Sequence, residues 1–263
     1  ATGPVATIRR TASGVPHIKA DNLESATFGS GYVQAQDNIC LLADAFVKAR
    51  SERAKYFGPG PGSIHIINDF SYKAQGIQSG AAAELATLSP ESRAMLRGFV
   101  AGYNKYVEET NPAEFPVECR NGPWVVPISE EDLLAHYRIV AGFASGDAFA
   151  TGAMFVAVPP GVDPNPVPVA ATAANTRKLR QLRETATFAR AGAAERRDYA
   201  DIGLASNAWG IGADLSENGR GALLANPHFP YSGVRRFYES QVTVPGYMNF
   251  HGAGLTGTPT PLI

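Results

Sequence analysis

The sequence predicts an α+β fold in which a helical first part is followed by a strand-rich last part. Three observations support this prediction: helix-start signals recur up to Ser129, a stretch rich in proline and alanine follows, and strand-like runs begin at Ser206. Helices and strands in separate blocks of a chain are typical of α+β proteins. We divide the chain into a helical unit over 1–165, a spacer over 166–205 and a sheet-bearing unit over 206–263.

The first long helix is predicted to begin after Asn22, a residue type that commonly caps helix N-termini. Helical sequence continues from Leu23 to Phe57. We expect an interruption near Gly29 and Gly31, because glycine is unfavourable inside helices. The glycine- and proline-rich segment 58–62 ends this helix.

Two more helices are predicted in the first part. The run Ser89-Pro90-Glu91 places proline at the first helical position, and apolar residues then repeat every four positions over 95–107. Ser129 precedes three acidic residues, which stabilise a helix N-terminus through the helix dipole.

Strands are predicted on both sides of the spacer, at 6–10, 206–211, 222–225, 237–244 and 248–255, and residues 13–18 are predicted to form a turn into a second strand. The spacer has few large apolar residues, so it is either a weakly held exposed helix or a flexible linker between domains. An exposed segment directly before a buried strand is a favourable place for proteolysis. The sequence therefore predicts processing near Ser206.

The composition favours a small substrate over a polymer. The 263 residues carry a formal net charge of −1, so no overall positive field attracts nucleic acid or an anionic membrane. No apolar run approaches the roughly 20 residues that span a bilayer. We therefore expect neither a nucleic-acid nor a membrane partner, and a neutral or apolar small molecule fits best.

Two segments carry the strongest chemical signal. Ser206 lies in 203–212 (GLASNAWGIG), and His228 follows 22 positions later in 224–230 (LANPHFP). With Glu239 and His251, they resemble the start of the nucleophile-bearing chain of the penicillin acylase family, which are N-terminal nucleophile (Ntn) hydrolases. The similarity is greatest to the branch of aculeacin A acylase and the acyl-homoserine-lactone acylases. Motifs of the first part extend the resemblance: Arg10, 14–18 (GVPHI), 31–38 (GYVQAQDN), Arg53, 97–99 and 102–104.

The resemblance implies a four-layer αββα sandwich built from a small helical chain and a larger sheet-bearing chain. It also implies that the Ser206 hydroxyl attacks the Ala205 carbonyl, cuts the chain and frees Ser206 as an N-terminal residue. The expected protein partner is then the chain's own large subunit, continuing beyond residue 263. The remaining oxyanion-hole donors of the family are expected there as well.

The chemistry of a terminal serine can be argued from its groups. A serine hydroxyl needs a base to become a good nucleophile. An α-amino group has a pKa of about 7.7–8.0, which suits general-base work near neutral pH. An amide nitrogen cannot accept the proton, so the uncut chain should not hydrolyse substrate. On its local sequence alone, Ser206 is equally an ordinary strand residue.

The resemblance assigns further roles around Ser206. His228 matches a position beside the nucleophile that orients the amine or substrate through its backbone carbonyl; without the resemblance it is a turn residue. Phe229 is expected to line the acyl pocket. Candidates for the opposite wall are Phe143, Phe149 and Met154, for which packing in the core is an equally good interpretation.

The two cysteines, Cys40 and Cys119, are too far apart for a CxxC redox or zinc motif. They are either two buried thiols or one disulfide, and the resemblance favours the disulfide. A disulfide and the family resemblance together imply a periplasmic or secreted protein.

Other catalytic schemes lack support in the sequence. There is no G-x-S-x-G elbow, the run Gly210-Ile211-Gly212 does not continue as a dinucleotide or phosphate-binding glycine motif, and the histidines show no metal-ligand spacing. We expect no cofactor and assign no metal ligand.

The leading functional hypothesis is an amidohydrolase that removes an apolar acyl chain from an amine, with N-acyl homoserine lactones, the signals of quorum sensing, as the first substrate class. Penicillins and cyclic lipopeptide antibiotics are alternatives within the same chemistry. A non-catalytic binding protein that retained the fold is the alternative of another class. Processing separates these classes, because the enzyme requires a chain that begins at Ser206.

Overall fold

The computed structural model describes residues 3–142 and 205–263. The first range contains two strands and six helices, and the second contains four strands. They are β1 (Thr7–Arg10), β2 (Pro16–Lys19), α1 (Leu23–Ala49), α2 (Arg53–Phe57), α3 (Ile64–Ala74), α4 (Ile77–Leu85), α5 (Pro90–Glu109), α6 (Glu130–Gly142), β3 (Ala205–Ile211), β4 (Ala222–His228), β5 (Phe237–Val244) and β6 (Met248–Leu255). This order confirms the α+β prediction.

Helix α1 begins where the sequence predicts, since the Asn22 side chain accepts a hydrogen bond from the Ser25 N–H at 2.9 Å. The predicted interruption near Gly29 and Gly31 is wrong, because α1 runs through both. These glycines are sites of close contact: a Cβ atom at Gly31 would collide with the carbonyl of Phe99 on α5. Glycine here lets two helices approach closely, which outweighs its low helix propensity.

Two helices, α3 and α4, were not predicted. Their first turns follow Ser63 and Gly76, which have left-handed backbone conformations and give no side-chain cap. Ser63 is a residue type that commonly caps helices, but its side chain makes no cap hydrogen bond here, and Gly76 has no side chain that could cap. Helices α4 and α6 pack against each other, and Ile77, Ala81 and Leu85 of α4 are buried.

The main core lies among the helices. Its largest fully buried side chains include Phe46 of α1, Phe99 and Tyr103 of α5, and Leu133 of α6. Each buried aliphatic or aromatic side chain of this size contributes about 1.5–3 kcal/mol. A second apolar cluster, which includes Val33 of α1, joins α1 to the sheet.

The sheet is assembled from both described ranges in the order β1-β2-β5-β6. Strand β2 pairs in parallel with β5, with Ile18 opposite Val242, and β5 pairs with β6 as an antiparallel hairpin. Strands β3 and β4 form a separate two-stranded hairpin. The bounds predicted for β5 and β6 are confirmed, whereas β4 extends three residues beyond its prediction, to His228.

The predicted disulfide between Cys40 and Cys119 is confirmed. It links α1 to the loop after α5, across 79 positions of sequence. Closing a loop of this length contributes about 4 kcal/mol in the chain-entropy model. Separately, none of the helices in the described ranges combines the length and apolar character needed to cross a membrane.

His136 of α6 is a buried polar residue at the contact between the helices and the sheet. Its side chain is 2% exposed and packs edge-on against the ring of Phe46. Its Nε2 atom lies 3.3 Å from the carbonyl oxygen of Thr256, which follows β6. Burial lowers the pKa of His136 to about 4, so the ring is neutral at neutral pH and donates to this carbonyl.

We expect His136 to make the fold acid-sensitive. Since its folded pKa is depressed, its stabilisation is complete above the unfolded value near 6.5 and is lost as pH falls toward about 4. The loss amounts to about 3 kcal/mol. Urea unfolding of the wild type and of His136→Gln at several pH values measures this loss. The free energy of unfolding of the variant should depend less on pH between about 6.5 and about 4 than that of the wild type. His17→Gln, at an exposed position, is the control, and an equal change there would contradict the assignment.

Candidate active site

The hairpin β3–β4 brings the two sequence-predicted catalytic residues onto neighbouring strands. In its register Ser206 lies opposite Pro227, and Ala205 lies opposite His228. The peptide bond between Ala205 and Ser206 therefore lies beside the backbone of His228. Ser206 itself is exposed, so a substrate carbonyl or a water molecule has access to it.

The same register determines the faces to which the side chains of Ser206 and His228 project. Residues directly opposite in an antiparallel pair project to one face, and successive residues project to opposite faces. Ser206 and Pro227 share one face of the hairpin, whereas His228 projects to the other.

Phe229 directly follows β4 and is half-buried. Its ring packs against that of Phe237, the first residue of β5, with 5.1 Å between the ring centroids. This contact joins the β3–β4 hairpin to the four-stranded sheet. Phe229 is the one predicted pocket residue within the described ranges.

The other three predicted pocket residues, Phe143, Phe149 and Met154, lie outside the described residues. They follow helix α6, whose C-terminal end borders a cavity of about 200 Å³. Its apolar lining comes from α1, α6, the loop before β5 and the end of β6, namely Leu41, Ile139, Val140, Val234 and Leu255. The cavity surface is mostly apolar, although the charged residues Asp44, Lys48, Arg53 and Arg235 also line it.

The hairpin exposes unusually large apolar side chains. Trp209 is 56% exposed, and Leu223 and Leu224 are 75% and 64% exposed. Trp209 and Leu224 lie opposite each other in the register and share one face of the hairpin, whereas Leu223 projects to the other face.

Residues of the first-part motifs meet the last part at an ionic cluster. Asp37 of α1 accepts two hydrogen bonds from the Arg10 guanidinium, at 2.9 and 3.0 Å, and one from the Tyr238 hydroxyl at 2.6 Å. Burial and the neighbouring Asp37 carboxylate raise the pKa of Tyr238, so its hydroxyl stays protonated and donates. The cluster joins β1, α1 and β5 across the spacer.

Two more motif residues, Glu239 and His251, form an exposed pair at 2.9 Å on β5 and β6. In the part of the chain that the structure describes, no group of three or more His, Cys, Asp or Glu side chains is arranged to hold a metal ion.

Sequence reasoning gave Gln34 no role of its own, although it lies inside a motif. Its buried amide donates to the carbonyl of Thr258 at 2.7 Å and accepts from the N–H of Gly257 at 2.8 Å. A fully buried glutamine on a helix is uncommon, but burial is not readable from one position of the sequence.

Comparisons with known proteins agree on one family. The sequence model of the penicillin amidase family matches residues 5–263. The acyl-homoserine lactone acylase PvdQ of Pseudomonas syringae pv. tomato is 38% identical over 260 residues, 97% of this chain and 31% of the relative. The aculeacin-A acylase of Actinoplanes utahensis is 37% identical over 265 residues, 98% of this chain and 32% of the relative. The chain thus spans about a third of these relatives.

A solved structure supports the fold. The thermostable penicillin G acylase of Alcaligenes faecalis aligns with a TM-score of 0.50 over 75% of this chain and 92% of that chain, at 20% sequence identity. At this identity the likeness concerns the fold alone.

Proposed function

Because the chain belongs to the penicillin amidase family, we propose that it forms part of an amidohydrolase that removes an apolar acyl chain from an N-acylated amine. The observation that carries this proposal is the position of Ser206: it is exposed, on the first strand after the spacer, and its preceding peptide bond lies beside His228.

The reaction is proposed to proceed through an acyl-enzyme. The free amine of Ser206 takes the proton of its own hydroxyl through one water, and the hydroxyl oxygen attacks the amide carbon. The carbon–nitrogen bond then breaks, the amine product leaves with a proton, and the acyl group remains esterified to Ser206. Water adds to this ester in the same manner and releases the carboxylic acid.

The same hydroxyl is proposed to make the enzyme from its precursor. It attacks the carbonyl of Ala205, and hydrolysis of the resulting ester leaves a chain that starts at Ser206. The small chain would derive from 1–165, the spacer over 166–205 would be removed in part, and the large chain would start with 206–263. Oxyanion-hole donors would come from residues after 263 in the family-length protein.

Contacts across the spacer support a stable two-chain product. The parallel pairing of β2 with β5 and the Asp37–Tyr238 hydrogen bond both join residues before the spacer to residues after it. These contacts do not depend on an intact spacer, so the parts stay associated after the cut. A periplasmic or secreted location is proposed from the disulfide, which is typical of oxidising compartments.

N-acyl homoserine lactones are the proposed substrate class. Relatives named acyl-homoserine lactone acylase are 38% identical over nearly the whole chain, and Phe229 provides an aromatic wall for an acyl chain. Each buried CH₂ group contributes about 0.8 kcal/mol, so an apolar pocket selects acyl length. The relatives named aculeacin-A acylase and penicillin acylase make lipopeptides and penicillins the alternatives.

A substrate panel tests this proposal. The family-length protein should release homoserine lactone from N-acyl homoserine lactones, with kcat/KM rising about fourfold for each added CH₂ until the pocket is full. Penicillin V and an acylated lipopeptide are the comparison substrates. Failure to hydrolyse any of the lactones would remove the first substrate class, and hydrolysis of a comparison substrate would then identify the alternative.

A further inference from the structure

The turn that follows β6 is held by buried polar groups of the helical part. The Gln34 side chain accepts a hydrogen bond from the N–H of Gly257 and donates one to the carbonyl of Thr258. The His136 ring donates a hydrogen bond to the carbonyl of Thr256. Gln34 and His136 are each 2% exposed, and Thr256 is fully buried. Unpaired amides are costly in such surroundings, so the turn has one favoured position.

Steric constraints also restrict the position of the turn. Gly257 has a φ of +95°, a conformation that residues with a side chain rarely adopt. A Cβ atom there would lie 2.7 Å from the His136 Nε2 atom. The turn therefore packs directly against α6, and it cannot move without disturbing the helical core.

The 256–258 turn also fixes the start of β5. Both the backbone N–H and the hydroxyl of Thr256 donate to the carbonyl of Arg236, each at 3.2 Å. Arg236 precedes Phe237, whose ring packs against Phe229. Leu255, the residue before the turn, lines the apolar cavity at the end of α6.

We propose that Gln34 is a positioning residue for the acyl-binding wall: through the 256–258 turn it fixes Phe237, and hence the ring of Phe229, together with Leu255. This inference rests on the proposed function, in which Phe229 contacts the acyl chain. Under this proposal, the 31–38 motif (GYVQAQDN), which precedes the spacer, influences acyl-length selection by residues that follow the spacer. Gln34 itself need not touch the substrate.

The test compares two variants with a matched control in the family-length protein. Gln34→Met removes both hydrogen bonds to the turn at nearly constant volume. Thr256→Val removes only the hydroxyl bond to Arg236, so it tests the same linkage with less risk to folding. Asn104→Leu is the control. The Asn104 side chain also makes two hydrogen bonds to backbone groups, the N–H and the carbonyl of Ile128, but these lie far from the turn in sequence.

The readout is the ratio of kcat/KM for the twelve-carbon and eight-carbon N-acyl homoserine lactones. We expect both Gln34→Met and Thr256→Val to change this ratio, by about tenfold for Gln34→Met, because small displacements of a pocket wall have large kinetic effects. Asn104→Leu should keep the wild-type ratio even where it lowers stability. An unchanged ratio in Gln34→Met, or an equal change in Asn104→Leu, would overturn the inference.

Amide hydrogen exchange separates this inference from the proposed function. In Gln34→Met, amides of 229–238 and 256–258 should exchange faster than in the wild type, whereas in Asn104→Leu they should not. If the wild type hydrolyses no lactone, the proposed substrate class fails and exchange alone decides the inference. Unaltered exchange over 229–238 in Gln34→Met would then refute it.

Discussion

Replacing Ser206 with alanine should abolish both chain cleavage and amide hydrolysis. The alanine variant has no hydroxyl to attack either the Ala205 carbonyl or a substrate carbonyl. Loss of a catalytic serine reduces turnover by about 10⁴-fold or more in enzymes that form an acyl-enzyme. Gel electrophoresis under denaturing conditions reports the cleavage, and product release from an acyl homoserine lactone reports the hydrolysis.

The control for this experiment is Ser232→Ala. Ser232 is also an exposed serine of the last part, but it lies in the loop between β4 and β5. The control should process and hydrolyse like the wild type. A Ser206→Ala protein that still yields two chains would show that another group performs the cut, and retained hydrolysis would assign the nucleophile elsewhere.

Blocking the amine of Ser206 should have the second largest effect. The protein can be produced as two separate chains, with the large chain starting either at Ser206 or at Ala205. The version that retains Ala205 has an amide in place of the amine and should lose about 10²–10⁴-fold in kcat/KM, the usual contribution of a general base. Intact mass must verify that Ala205 is still present.

The dependence of kcat/KM on pH provides a second test of the role of the amine. In the version that starts at Ser206, kcat/KM should fall as pH drops below about 7.7, because the protonated amine no longer accepts the hydroxyl proton. Equal activity of the two versions would contradict the role of the amine. Such a result would direct attention to His228, a titratable residue opposite Ala205 in the hairpin.

The sequence predicted features that depend on local signals. Strand β5 was placed correctly at 237–244, between turns that contain glycine and proline, and the N-cap of α1 was identified from Asn22. The disulfide and the proximity of Ser206 to His228 could be predicted only through resemblance to a family. Neither follows from spacing, since both depend on how distant segments fold together.

Features that depend on long-range contacts were missed. Gly31 suggested a helix break, but it marks the crossing of α1 with α5 around Phe99. The role of Gln34 depends on a turn 223 residues away in sequence. Ser63, the left-handed residue before α3, makes no side-chain cap hydrogen bond with that helix. Each miss is a case in which tertiary packing outweighs local propensity.

The decisive experiment is to determine the N-terminal residues of the purified family-length protein. We expect two chains, of which the larger begins Ser-Asn-Ala-Trp, the sequence that starts at Ser206. A single uncut chain with amidase activity, or an active large chain that begins at any other residue, would contradict it.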